Sequence, residues 1–158
     1  MLRIVIQGWA TNVGKGMRKF VLILALVGLC ALALAAPVMG AGGRPLSTDL
    51  NGGEEFPGPG DPDGSGFAKL RLNPGLGQIC YSITVTGIES ATMAHIHEGD
   101  EGTAGPVVVG LEPPRDGSSE GCASADRALV KDIMKNPSDY YVNVHNADFP
   151  AGAVRGQL

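Results

Sequence analysis

The feature that most constrains this chain is a series of short segments in which apolar and polar residues alternate, separated by turns rich in glycine and proline. In residues 78–87, every second side chain from Ile79 to Val85 is apolar or aromatic. Successive side chains of a strand point to opposite faces, so this alternation predicts a β-strand with one buried face. Residues 67–72 alternate in the same way, and the turn Asn73-Pro74-Gly75 joins the two segments into a predicted hairpin.

The remaining segments extend this all-β pattern. Further strands are predicted at residues 46–50, 93–97, 107–111, 140–145 and 153–158. One short helix is predicted at about residues 125–135, with Ser124 as its N-cap and Asn136-Pro137 as its end. The segment 117–121, which has no apolar residue, is expected to be a loop. Many short strands with one helix predict an antiparallel Greek-key β-sandwich or barrel.

The N-terminal residues have the pattern of an export signal. Met17-Arg18-Lys19 is followed by 17 uncharged, mostly apolar residues from Phe20 to Ala36. A basic head, an apolar run and small residues after it are typical of a secretory signal peptide. We therefore expect residues 1–16 to be an upstream extension, 17–40 a signal peptide and 44–158 the mature domain. An uncleaved membrane anchor is the alternative, since about 17 apolar residues is the lower limit for a span.

Removal of the leader makes the protein strongly acidic. Four of the 12 basic residues and none of the 16 acidic residues lie before residue 41, which leaves 8 basic against 16 acidic groups, a net charge of −8. This balance argues against nucleic acid or an anionic membrane as the partner. The sequence is that of an exported protein, secreted or periplasmic, whose partner would be another protein or an envelope component. No sequence feature identifies that partner or an oligomeric state.

Two cysteines remain outside the leader, Cys80 and Cys122. In an oxidising compartment such a pair predicts a disulfide. No Cys-x-x-Cys spacing occurs, so a redox-active pair is not expected.

The three histidines of the protein are His95, His97 and His145. The first two are separated by one residue, so in a strand they would point to the same face. His145 ends the predicted strand 140–145, which a sandwich could bring alongside. Three neutral imidazoles suit copper or zinc. The alternative is that these histidines are buried and bonded to backbone, where they would hold loops in place.

The order of these segments resembles that of the CHRD domain, a module found in chordin and in secreted bacterial proteins. The resemblance covers about residues 44–158. It rests on Gln78-Ile79-Cys80-Tyr81, Ala94-His95-Ile96-His97, Gly105-Pro106-Val107-Val108-Val109, Asn136-Pro137 with the strand 140–145 that follows, and Phe149-Pro150 with Arg155-Gly156-Gln157-Leu158. It implies a β-sandwich of immunoglobulin or superoxide dismutase type and no defined activity.

A second resemblance is to the copper–zinc superoxide dismutases. Those enzymes carry a His-x-His strand, a later strand ending in Val-His and an arginine that borders the copper, which here correspond to His95, His97, His145 and Arg155. The residues for a zinc site are missing, and the copper site of a dismutase normally uses four imidazoles where this chain has three.

These observations favour an exported, non-catalytic binding or structural module with no certain cofactor. No nucleophile–base arrangement, phosphate loop or cofactor fingerprint is present. The alternative is a copper- or zinc-binding protein of dismutase-like type, with a site formed by His95, His97 and His145. Around that site, Glu98 could orient an imidazole, Asn143 would be a buried hydrogen-bonding residue, and Arg155 would pair with a carboxylate or bind backbone carbonyls.

Overall fold

The computed structural model of the protein describes residues 43–158, which form eight β-strands and one α-helix. The strands are β1 (Arg44–Asn51), β2 (Ser65–Asn73), β3 (Gln78–Thr86), β4 (Met93–Glu98), β5 (Val107–Leu111), β6 (Ser118–Ser124), β7 (Tyr140–His145) and β8 (Val154–Gln157). The helix α1 is Arg127–Lys135, and single-turn 3₁₀-helices lie at Gly52–Glu54 and Pro137–Asp139. No helix within this range is long and apolar enough to cross a membrane. The expected extension and leader, residues 1–40, lie outside the described residues.

The eight strands form one antiparallel sheet in the order β5-β4-β7-β8-β1-β2-β3-β6. The two edge strands, β5 and β6, come close to each other, so the sheet curls into a nearly closed barrel. The hydroxyl of Tyr81 on β3, the strand next to the edge strand β6, accepts a hydrogen bond of 2.8 Å from the backbone N–H of Glu112, directly after β5, and so bridges the two ends of the sheet. The prediction of an antiparallel all-β fold with one short helix is confirmed.

Alternation along the strands fills the interior of this barrel. The inward-facing side chains predicted for β2, namely Ala68, Leu70 and Leu72, are buried. The strands β3, β4 and β7 contribute Ile79, Ile83, Ile96, Val142 and Val144 to the same core. The helix α1 adds Val130 and Ile133, both fully buried. Burial of each large aliphatic side chain stabilises the fold by roughly 1.5–3 kcal/mol relative to leaving it exposed.

Two predictions for the region before α1 were wrong. Residues 118–124, expected to be loop up to residue 121, form the edge strand β6, which pairs with β3 over its whole length. Pairing with β3 supplies the backbone hydrogen bonds, so this strand needs no apolar side chains of its own. The N-cap of α1 is Asp126, whose carboxylate accepts from the N–H groups of Ala128 and Leu129, whereas Ser124 is the last residue of β6.

The strand β7 is buried on both faces, with all six of its residues inaccessible. One face packs into the barrel core. The other is covered by three loops, residues 55–64, 99–106 and 146–153, which contact it through Glu55, Gly105 and Pro150. Because the side chains on this outer face are polar, the loops enclose a polar layer outside the apolar core.

The predicted disulfide between Cys80 and Cys122 is confirmed. The two residues are directly opposed on β3 and β6, with Cα atoms 3.8 Å apart and the sulfur atoms bonded. The bond therefore fixes an edge strand to the sheet, where the sequence had placed a loop. An unprotected edge strand is prone to pairing with other chains, and a covalent link limits its detachment.

Reduction of this disulfide is expected to lower the melting temperature markedly. The bridge closes a segment with a sequence separation of 42 residues. On the chain-entropy model such a loop contributes about 4 kcal/mol, a large part of the ~5–15 kcal/mol stability of a typical domain. Differential scanning calorimetry with and without reductant measures the change, with a Cys80→Ser/Cys122→Ser variant as a control that reductant should not affect. An unchanged melting temperature on reduction would contradict the role assigned to the bridge.

Candidate metal centre

Two paired strands place the three histidines on one face of the sheet. On β4, Ala94 and Ile96 point into the core, so His95 and His97 point to the opposite, outer face. β4 pairs antiparallel with β7, where Met93 lies opposite His145. The alternation of both strands therefore places all three imidazoles on the outer face, beneath the covering loops.

The ring nitrogens of the three side chains converge. One nitrogen from each of His95, His97 and His145 lies within 4.8 Å of the other two. The shortest of these contacts joins His95 Nδ1 to His145 Nε2 at 3.3 Å. The rings of His95 and His97 meet edge to face, with centroids 5.5 Å apart. The fold therefore brings together the three histidines that the sequence singled out.

Backbone carbonyls determine which nitrogen of each ring is free. His97 Nδ1 lies 2.9 Å from the carbonyl oxygen of Gly105, and His145 Nδ1 lies 3.1 Å from that of Pro150. A carbonyl oxygen only accepts, so in both rings Nδ1 carries the hydrogen. In a neutral imidazole the other nitrogen, Nε2, then has a free lone pair. The Nε2 lone pair of His97 is therefore free, whereas Nε2 of His145 accepts a 3.3 Å hydrogen bond from Nδ1 of His95, a bond that a metal ion would replace.

Among residues 43–158, the buried Nε2 atom of His97 has no hydrogen-bond partner. His97 as a whole is only 8 % exposed. A buried polar atom without a hydrogen-bond partner destabilises the folded state by roughly 1–3 kcal/mol, because its lost hydration is not replaced. A bound metal ion would use this lone pair, as His145 Nε2 and His95 Nδ1 could do beside it.

Burial keeps the three imidazoles in the neutral form that binds metal. Desolvation, with a smaller contribution from the neighbouring His95, lowers the pKa of His145 to about 4. Burial also lowers the pKa of His95 and of His97 below the usual value. A neutral imidazole keeps one N–H and one nitrogen lone pair, so at neutral pH each ring can bind an ion without a net loss of protons.

The residues present fit a copper or zinc ion with a small adjustment. Two nitrogens bound to one zinc ion at about 2.0–2.1 Å can be at most about 4.2 Å apart. The cluster, with nitrogens within 4.8 Å, would contract slightly on binding. His95 is the side chain free to move, because it is only partly buried and its ring has no backbone partner.

Arg155 holds the loop that covers His97. Its guanidinium lies 3.4 Å from the ring centroid of Tyr141, and the other neighbour of that ring is the imidazole of His97, stacked at 4.7 Å. The same guanidinium donates hydrogen bonds of 2.6 Å to the carbonyl of Thr103 and 2.9 Å to that of Asp100. Arg155 therefore binds backbone carbonyls, one of the two roles expected from the sequence, and no histidine.

Two further side chains complete the attachment of this loop. Gln157 donates from Nε2 to the carbonyl of Gly99 at 2.9 Å and to that of Ser138 at 2.7 Å. The hydroxyl of Tyr141 accepts a 3.1 Å hydrogen bond from the N–H of Gly105. Since the carbonyl of Gly105 also accepts from His97, the loop and the orientation of that imidazole depend on each other.

Asn143 lies beside His95 in the sheet and is bonded to a carboxyl group. Its Nδ2 donates a 3.4 Å hydrogen bond to Oε2 of Glu55. The remaining oxygens, Oε1 of Glu55 and Oδ1 of Asn143, are buried and have no hydrogen-bond partner in the part of the chain that the structure describes. Burial raises the pKa of Glu55 to about 7, although Arg155 and the bond from Asn143 act in the opposite direction. This carboxyl is therefore largely protonated in the folded protein below neutral pH.

The remaining predicted neighbour, Glu98, lies at the exposed end of β4. Within residues 43–158 its carboxylate forms no hydrogen bond to a histidine. Its backbone N–H donates to the carbonyl of Pro106, which helps to close the base of the covering loop.

Sequence reasoning missed two residues of this layer. Tyr141 precedes Asn143 and His145 by two and four positions, so strand alternation alone would have placed it on their face. Glu55 had no comparable signal, because it lies after a 3₁₀-turn and reaches Asn143 from 88 residues away in the sequence.

Replacement of Glu55 by glutamine is expected to change how stability depends on pH. The folded-state pKa of about 7 lies above the ordinary 4.5, so the folded protein binds more protons than the unfolded chain between these values. The stability contributed by Glu55 is then present below about pH 4.5 and is lost as pH rises through 7. Chemical denaturation at pH 5 and pH 8 should show Glu55→Gln gaining stability relative to the wild type at pH 8. A difference between the two proteins that does not vary with pH would contradict the buried, protonated state.

Comparison with known proteins identifies the family. Residues 46–158 match the family model described as CHRD domain, which covers well over half of the chain. Neither a search of curated proteins nor a search of solved structures gave a significant match. The matched range begins within β1 and ends with the last residue, so it includes most of β1, the other seven strands and the three histidines. The chain belongs to the CHRD domain family.

Proposed function

We propose that this protein is an exported CHRD module that binds one copper or zinc ion through His95, His97 and His145. The observation that most supports this proposal is the buried Nε2 of His97. Within the described domain this atom has no hydrogen-bond partner, although the carbonyl of Gly105 fixes the orientation of its ring. A ring that only held the loop in place would need no free, desolvated lone pair beside two other imidazoles.

The outer partners of the histidines support the same proposal. Metal-binding histidines commonly donate their second ring N–H to a carbonyl or carboxylate, which sets both tautomer and orientation. His97 and His145 each do so, to Gly105 and Pro150. The ligand atoms would be Nε2 of these two rings and Nδ1 of His95. When bound, copper would supply one-electron redox chemistry and zinc would supply Lewis acidity.

We propose binding rather than catalytic turnover as the function. The guanidinium of Arg155 is 1 % exposed and is bonded to the covering loop, so it is not free to attract an anionic substrate. Three imidazoles are available where the dismutases that the sequence resembles use four. A structural or metal-carrying role requires neither of these missing features.

Export is supported by the chemistry of the chain. The leader pattern at residues 17–40, the acidic mature composition and a disulfide between directly opposed strands all suit an oxidising compartment. We propose that the protein acts in the cell envelope or outside the cell, where its partner is a protein or an envelope component.

Metal binding is expected at about one equivalent per chain, and His97→Ala should abolish it. Purified protein is stripped with chelator, loaded with Zn²⁺ or Cu²⁺, dialysed and analysed for metal content. A thermal melt before and after loading gives an independent readout, because an ion that binds only the folded state raises its stability. Loss of His97 removes a ligand whose ring is already oriented, so the melting temperature of that variant should no longer respond to metal.

The matched control is Glu101→Gln, which removes an exposed carboxylate from the covering loop without touching a histidine. It should retain one equivalent and the full thermal response. The metal proposal would be contradicted if the wild-type protein held no metal after dialysis, or if His97→Ala bound metal as well as the wild type. The histidines would then be residues that hold the loops in place.

A further inference from the structure

A methionine lies beside the three histidines on the outer face of the sheet. On β4, Met93 precedes His95 and His97 by two and four residues, so strand alternation places the three side chains on the same face. Met93 is also paired directly with His145 on β7. It therefore neighbours one histidine along its own strand and another across the sheet.

The position of Met93 brings its sulfur atom within reach of the converging ring nitrogens. Directly opposed residues of an antiparallel pair have Cβ atoms about 4.5–5.5 Å apart. Nε2 of His145, the residue opposite Met93, lies 3.3 Å from Nδ1 of His95, the next residue on the same face of β4. A methionine side chain is unbranched and turns about three single bonds. Its sulfur can therefore swing towards either of these two nitrogens.

The cluster is accessible to solvent on the side of Met93. The covering loops bind the imidazoles of His97 and His145 through backbone carbonyls. Met93, in contrast, is 44 % exposed, and His95 beside it is only partly buried. A single exposed apolar side chain is ordinary on a protein surface. What distinguishes this one is its place beside three imidazoles, where its sulfur is not held by close packing and can turn to a bound ion.

Within residues 43–158, no carboxylate or thiolate joins the three imidazoles. The ligand atoms that converge there belong to His95, His97 and His145. Both cysteines of this range are bonded to each other, and the carboxyl of Glu55 accepts from Asn143. Zinc in proteins is bound by cysteine, histidine and carboxylate ligands. A thioether is a soft ligand that favours copper(I). The additional donor beside this cluster is thus of the kind that copper(I) uses.

We propose that Met93 is the fourth ligand of the site and that the site takes copper as Cu(I), held by three imidazoles and one thioether. This inference rests on the proposed function, because it requires an ion at the three histidines. It goes further in choosing between the two metals. Three imidazoles alone suit copper and zinc alike, so the preference for copper comes from the sulfur of Met93.

Replacement of Met93 by leucine tests the proposal, because leucine keeps the approximate size of the side chain and removes the sulfur. Protein is loaded with Cu(I) without oxygen and titrated with bathocuproine disulfonate, a competing chelator whose Cu(I) complex is coloured. Met93→Leu should bind Cu(I) at least about tenfold more weakly, a loss of about 1.4 kcal/mol. Its affinity for Zn²⁺, measured by calorimetry, and the melting temperature of the metal-free protein should stay near the wild-type values. X-ray absorption of the Cu(I)-loaded wild type should show a sulfur neighbour that the variant lacks.

The matched control is Met134→Leu, which removes the other methionine of residues 43–158. Met134 lies near the end of α1, where Asp132 binds the hydroxyl of Tyr140, and Tyr140 is at the opposite end of β7 from His145. This variant should bind Cu(I) like the wild type and retain the sulfur signal.

The outcomes separate this inference from the proposed function. Equal Cu(I) affinity in the wild type and Met93→Leu, an equal loss of Cu(I) and Zn²⁺ affinity in that variant, or a wild-type spectrum without sulfur would overturn the role of Met93. Metal binding that still depended on His97 would then leave the three-histidine site in place. Wild-type protein that bound neither metal, or His97→Ala that bound both as well as the wild type, would contradict the proposed function, and the role of Met93 would fall with it.

Discussion

The stacking of Arg155 and His97 on either side of the Tyr141 ring is the interaction on which the polar layer of this domain depends. A buried guanidinium costs several kcal/mol unless its N–H groups find acceptors. Here the carbonyls of Asp100 and Thr103 supply those acceptors, so Arg155 remains buried only while the loop after β4 stays closed over the sheet. The loop in turn places the carbonyl of Gly105 against His97. The contacts of Arg155 therefore determine both the closed position of the loop over the sheet and the orientation of the His97 imidazole.

The polar layer explains why a strand as apolar as β7 can be buried on both faces. Its inward residues, Val142 and Val144, belong to the barrel core, while Tyr141, Asn143 and His145 each find a partner in a different loop. The buried polar atoms that remain unpaired are informative, because most buried polar atoms in folded proteins form a hydrogen bond. The unpaired atoms in this layer include Nε2 of His97, Oε1 of Glu55 and Oδ1 of Asn143. The first belongs to one of the three converging imidazoles, and the other two lie around a carboxyl that burial keeps protonated.

Local patterns predicted much of this arrangement, and long-range contacts account for what they missed. Alternation placed Leu70, Ile79 and their neighbours in the core and put His95 and His97 on one face, because the side-chain period of a strand is a local property. The disulfide followed from cysteine count and compartment. The strand β6 was missed because its stability comes from pairing with β3 rather than from its own side chains. Glu55 and the carbonyl partners of the histidines were missed because loops distant in sequence deliver them, and no local period encodes such contacts.

The central claim is that His97 presents a free Nε2 lone pair to an ion shared with His145 and His95. Long-range ¹H–¹⁵N correlation spectra of the imidazole rings test it directly, because they report the protonation state of each ring nitrogen. In metal-free protein at neutral pH, His97 and His145 should carry their hydrogen on Nδ1 and show an unprotonated Nε2. Addition of one equivalent of Zn²⁺ should shift those two Nε2 resonances and the Nδ1 resonance of His95 together, and leave Nδ1 of His97 protonated. A protonated Nε2 on His97, or ring resonances that do not respond to the metal, would contradict the account.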